Sequence, residues 1–123
     1  DMTVLVGDAG VLWTGDLLFV GRVPALDGSA KGWLAAIDVL AKTQPKIVVP
    51  GHGPVSHDLA SALAPERRYL ETLVAGVRKE IAAGKPIEDA TADVGQSEKA
   101  NWQLFDTANA HNVSLVYREL EWE

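Results

Sequence analysis

Two side chains in this sequence have the type and setting to hold a metal ion. One is the carboxylate of Asp16, closing the step Thr14-Gly15-Asp16; the other is the imidazole of His52, central in Pro50-Gly51-His52-Gly53-Pro54. An imidazole nitrogen is the commonest protein donor to zinc, and a carboxylate oxygen is a compatible second donor. Asp16 follows a strand-forming run, and a carboxylate at the end of a sheet strand projects into the region where α/β folds hold ligands. The same aspartate would serve equally as a turn or helix-capping residue. His52 is flanked by glycines that permit a sharp turn and prolines that restrict the backbone, so its ring is held with little entropy left to lose. Taken alone it could be a loop histidine of no function; taken with Asp16 it makes a donor pair on two neighbouring strands.

The other candidates are weaker. His57 follows Ser56 near the start of a helix and reads as a solvent-facing or capping residue, and His111 reads as a surface residue on the flank of the last helix. Arg22 could direct a guanidinium at an anionic substrate, although pairing with Asp27 or plain solvation accounts for it as well. Asp27-Gly28-Ser29 is expected to shape a loop and cap the helix that follows. Trp13, Trp33 and Trp102 are expected in the core. With no cysteine in the chain, disulfides, thiolate zinc sites and a cysteine nucleophile are excluded, and any metal must sit on His, Asp or Glu.

The elements that must position the pair can be read from spacing. Thr3 to Val6, the turn residues Gly7-Asp8-Ala9-Gly10 and Val11-Leu12-Trp13 predict a β-hairpin whose second strand ends at Thr14-Gly15-Asp16. Ser29 is a candidate N-cap for a helix over 30–42, with Trp33, Leu34, Ile37, Leu40 and Ala41 at helical spacing. Lys46 to Val49 forms a short apolar strand, and the strand-helix-strand order predicts a parallel pairing through a crossover. Pro65 suits the first turn of a long helix reaching about Ala83, with Leu70, Leu73, Val74, Val77 and Ile81 as its buried stripe. A helical turn over 87–94, a polar loop over 95–101 and a last helix over 102–120 complete the chain.

Three stretches together carry a resemblance. Gly10-Val11-Leu12-Trp13-Thr14-Gly15-Asp16-Leu17-Leu18-Phe19-Val20-Gly21-Arg22, then Gly32-Trp33-Leu34, then Val48-Val49-Pro50-Gly51-His52-Gly53-Pro54 resemble the second half of metallo-β-lactamase superfamily hydrolases. The closest likeness is to zinc metallohydrolases associated with periplasmic quinoprotein systems, with glyoxalase-II-like thioesterases as wider relatives. The resemblance implies an α/β fold, the C-terminal half of an αββα sandwich with a short mixed sheet and helices packed on it, over a single domain spanning 1–123. It also implies two zinc ions in the intact parent, with Asp16 as the carboxylate bridging both and His52 as a terminal ligand of the second. The remaining ligands of that family come from a His-x-His-x-Asp-His stretch and a later histidine upstream of Thr-Gly-Asp, and no such stretch occurs here.

A tetrahedral zinc takes about four donors, so Asp16 and His52 alone give partial or no occupancy. The implied activity is metal-assisted hydrolysis of an ester, thioester, lactam or lactone, with this chain supplying part of the site and inactive or very weak by itself. The chain begins at Asp1 rather than methionine, from which a start further upstream is expected. A half-sandwich exposes apolar faces, so a homo-oligomer, or association with the absent N-terminal half, is expected. The contrasting reading is a non-catalytic α/β interaction module in which both motif residues are structural.

Composition bounds these readings. Across 123 residues, 47% are hydrophobic and 23% charged, as in an ordinary folded domain rather than a disordered chain. A net charge of −6 without a basic run argues against nucleic acid as a partner. No apolar stretch reaches the roughly 18 residues that a membrane span requires. A small-molecule substrate is the expected partner of the parent.

Overall fold

A computed structural model describes residues 3–123; Asp1 and Met2, the first residues of the domain expected over 1–123, lie outside the described residues. Strands β1 (Val4–Val6) and β2 (Val11–Phe19) form the expected antiparallel hairpin, and β3 (Ile47–His52) adds parallel to β2 in the order β1-β2-β3. Between β2 and β3 the chain crosses over through α1 (Ala30–Leu40), as the strand-helix-strand pattern predicts. The sheet is therefore mixed and short. Helices α2 (Leu59–Ala82), α3 (Ile87–Asp93) and α4 (Phe105–Leu120) follow.

Helices cover one face of the sheet only. Leu12, Thr14, Val48 and Pro50 point to that side and are buried; Leu12 and Val48 belong to one core with Ile37 of α1 and with Leu63, Leu70, Leu73 and Val77 of α2. On the opposite face the cross-strand partners Val4, Trp13 and Val49, and next to them Val6, Val11 and Ile47, form an apolar patch. Val4, Val6 and Trp13 are about half exposed. Trp13 is therefore not a core residue: its position in the period-2 alternation puts it on the uncovered side, while Trp33 and Trp102 are buried as expected.

Several boundaries differ from those the sequence suggests. β2 does not stop at Asp16 but continues to Phe19, because Leu18 and Phe19 are apolar and find the core. α2 starts six residues before Pro65. Asp58 is its cap, accepting from the Ser61 amide at 3.1 Å, and Leu59, Ala62 and Leu63 extend the buried stripe toward the N-terminus. Pro65 thus lies inside the helix, where it removes the hydrogen bond that residue 65 would give to the Ser61 carbonyl.

The polar stretch expected as a loop over 95–101 contains a 3₁₀ helix, Gln96–Asn101. It buries Glu98, whose carboxylate accepts from Arg68 Nε at 2.9 Å and from the Trp102 indole at 3.2 Å. Burial alone would raise this carboxyl, but the hydrogen bonds from Arg68, Trp102 and Asn101 outweigh it and hold the group below the usual range. α4 starts at Phe105 rather than Trp102. Leu104 adopts a left-handed φ of 60°, and Gln103 pairs instead in extended form with the loop after β2, its amide donating to Gly21 O at 2.8 Å and its carbonyl accepting from Val23 N at 2.9 Å.

Candidate metal centre

The parallel ladder of β2 and β3 breaks where the candidate donors sit. Trp13 pairs with Val49, Gly15 with Pro50 and Phe19 with His52, so between Gly15 and Phe19 β2 carries more residues than β3 opposite it. The excess chain bulges outward, as such irregularities commonly do beside functional sites, and Asp16 lies on the bulge. Glycine is needed at position 51 for the strands to meet here, because a Cβ would fall onto the Gly15 carbonyl. The next glycine, Gly53, has φ 112° and lies against Val20, whose amide donates to the His52 carbonyl at 2.9 Å.

The result is convergence of the two predicted side chains. His52 Nε2 lies 3.3 Å from Asp16 Oδ1, with the imidazole side chain 35% and the carboxylate 68% exposed, so both donor atoms can be reached from solvent. Phe19 stacks on the imidazole at a centroid distance of 4.4 Å and an interplanar angle of 11°, fixing the plane of the ring. On its other edge, His52 Nδ1 is 3.5 Å from the Arg22 guanidinium. Arg22 can only donate, so a hydrogen bond to Nδ1 requires the tautomer with its ring proton on Nε2, facing Asp16. Among the described residues, Arg22 forms no ion pair with Asp27 or any other carboxylate.

Two donors bound to one tetrahedral zinc, each roughly 2.0–2.1 Å from it, lie about 3.3–3.4 Å apart. The Asp16–His52 separation and the oxygen-nitrogen donor set fit two positions of such a site. Among the described residues, no group of three or more His, Cys, Asp or Glu side chains comes together in a way that could complete it. His57 and His111 are exposed, and neither lines the cleft beside Asp16 and His52.

The pair opens into a cleft of about 540 Å³ between the bulge, the following loop and α1. Asp16, His52, Arg22 and Asp27 supply its polar groups, and Leu17, Phe19, Trp33 and Ala36 its apolar wall. Trp33 is locked in that wall by its indole N–H, which donates to the Leu17 carbonyl at 2.9 Å. The N-terminus of α1 closes one side. Ser29 caps it as expected, accepting from the Gly32 amide at 2.9 Å, while the Glu119 carboxylate takes the Ala30 amide at 2.7 Å and the Ser29 hydroxyl at 2.9 Å.

Three buried polar residues hold this cleft, and none of them is among the site residues that the sequence suggests. Asn112 ties down the loop after β2, accepting from Leu26 N at 3.0 Å and donating to the Pro24 carbonyl at 2.7 Å. Tyr69 accepts from Asn112 at 3.1 Å and donates to Asn109 at 2.8 Å. Burial pushes the Tyr69 phenol up to about 12 despite the Asn112 hydrogen bond. The third is Glu66, which is fully buried and accepts from the Phe19 amide at 2.9 Å. The available signal was a polar residue recurring on an apolar helical stripe: Glu66 between Leu63 and Leu70, and Asn109 and Asn112 between Phe105 and Val116.

At the level of sequence, no protein family and no curated protein matches the chain. Solved structures of similar shape include a double mutant of the sec-alkyl sulfatase PisA1, with a TM-score of 0.71 and 21% identity. That match covers 100% of this chain and 22% of the sulfatase chain, so this chain spans about a fifth of its neighbour's length. The likeness is one of fold: a three-stranded mixed sheet with helices on one face, matching a fragment of a metallo-β-lactamase-like fold.

Proposed function

We propose that this chain contributes Asp16 and His52 to the zinc centre of a metallo-β-lactamase-type hydrolase whose other metal donors lie outside these 123 residues. The observation behind this reading is the 3.3 Å approach of Asp16 Oδ1 and His52 Nε2 across the break in the β2–β3 ladder. Both groups reach solvent at the mouth of a cleft with an apolar wall, where a cation and a substrate could approach them. When bound there, zinc would polarise the scissile bond and lower the pKa of water toward neutrality.

The remaining roles fall to groups of this chain. Asp16 and His52 hold the cation, Phe19 keeps the imidazole plane fixed, and Trp33 with Leu17 excludes water from one side of the cleft. Arg22 offers a guanidinium to an anionic portion of the substrate once it leaves His52. An ester or thioester with an apolar portion suits the wall; the structural neighbour is itself a sulfatase. The uncovered apolar face of the sheet would be closed by the rest of the sandwich or by a second copy of the chain.

The absence of a three-donor cluster among the described residues keeps a second reading in view, a non-catalytic interaction module. Metal analysis of the full product of the gene separates the two. Uptake of two zinc ions, lost on Asp16→Ala or His52→Ala, is expected; a full product that takes up no metal establishes the module instead.

A further inference from the structure

Glu66 has no evident reason to be an acid. It occupies an apolar stripe of α2, is fully buried, and leaves its Oε2 without a hydrogen-bond partner among the described residues. Its Oε1 accepts from the Phe19 amide at 2.9 Å, at the point where the bulge in β2 has moved the chain out of regular register with β3. The following amide, that of Val20, returns to β3 and bonds the His52 carbonyl. Phe19 is 3% exposed, so its N–H has no access to water, and leaving such a group unpaired is costly. The side chain of that same residue is the ring stacked on His52.

We infer that Glu66 is a positioning residue for His52: from the helix behind the sheet it holds the Phe19 amide in the bulge, and through it the aromatic ring that sets the plane of the imidazole. It acts two contacts away from the donor atom and touches neither substrate nor metal. The inference rests on the metal-donor reading of His52 only for what the ring is held to do. Burial pushes the Glu66 carboxyl up to about 8, so at neutral pH it is chiefly a neutral acceptor. Glutamine is therefore its conservative replacement, whereas methionine has a similar length and no carbonyl.

The test uses the His52 ring-proton resonances of the metal-free chain, displaced upfield by the stacked Phe19 ring, followed by addition of Zn²⁺. Glu66→Gln is expected to keep the upfield positions. Glu66→Met is expected to move them toward free-imidazole values and to weaken the Zn²⁺-induced change by about tenfold, as loss of supporting contacts around metal ligands typically does. Unchanged His52 resonances in Glu66→Met, or a loss in Glu66→Gln as large as in Glu66→Met, would overturn the inference. Should Glu66→Met not fold, Phe19→Leu decides: it retains the acceptor and removes the ring, and unaltered His52 resonances there are equally fatal. Because the deciding shifts are read without metal, they test Glu66 independently of the zinc response, which two donors alone need not give; the metal reading is tested on the full gene product.

Discussion

Gly51 and Gly15 meet backbone to backbone where β2 and β3 fall out of register, and this contact brings Asp16 and His52 to the same rim. A Cβ at position 51 would fall onto the Gly15 carbonyl, which belongs to the sheet and cannot turn aside as a flexible side chain could. The approach of Asp16 to His52 is thus set by a close strand contact that only glycine permits.

Gly51→Ala is accordingly expected to lower stability by roughly 1–3 kcal/mol, the usual cost of forcing atoms into a packed site. It should also separate Asp16 from His52. Denaturant unfolding reads the first effect and the His52 ring resonances the second; an alanine variant as stable as the parent would contradict the geometry.

Arg22 competes with a cation for His52. Ligation through Nε2 needs the ring proton on Nδ1, where it would face the guanidinium donor 3.5 Å away, and the arginine charge repels a cation as well. Arg22→Met should therefore strengthen Zn²⁺ binding severalfold in a titration followed at His52. Weaker binding would mean that Arg22 supports the metal-ready arrangement instead.

Glu66 gives the fold a pH dependence of definite sign. Its carboxyl is raised by burial from 4.5 to about 8, the Phe19 amide offsetting this only in part. Between those values the folded chain binds more protons than the unfolded one, so the stability contributed is fully present below pH 4.5 and is lost as pH rises through 8. The slope approaches about 1.4 kcal/mol per pH unit, and of order 4–5 kcal/mol accumulates over the range. Unfolding curves from pH 5 to 9 should show this decline in the parent relative to Glu66→Gln; parallel curves would rule it out.

The open sheet face should drive association. Val4, Val6 and Trp13 are each about half exposed and adjoin Val11, Ile47 and Val49. Light scattering should find the isolated chain in oligomers that Trp13→Lys shifts toward monomer. A parent chain that is monomeric at every concentration would show that the face tolerates water.

Much of this protein was legible locally. The hairpin, the Ser29 cap and the crossover to a parallel β3 follow from patterns within a few residues of each position, because turn chemistry, capping and hydrophobic period act at that range. The exposure of Trp13 was not legible. Alternation along β2 distinguishes its two faces, but only the packing of α1 and α2 decides which of them is covered. Likewise the left-handed Leu104 and the late start of α4 depend on Gln103 pairing with a loop some eighty residues earlier in the chain. Periodicity places Glu66 on the buried stripe of α2, but a carboxylate on that stripe acquires a role only when β2 bulges in front of it and presents the Phe19 amide. Local propensity set the elements; long-range packing decided their register, and with it whether Asp16 and His52 meet.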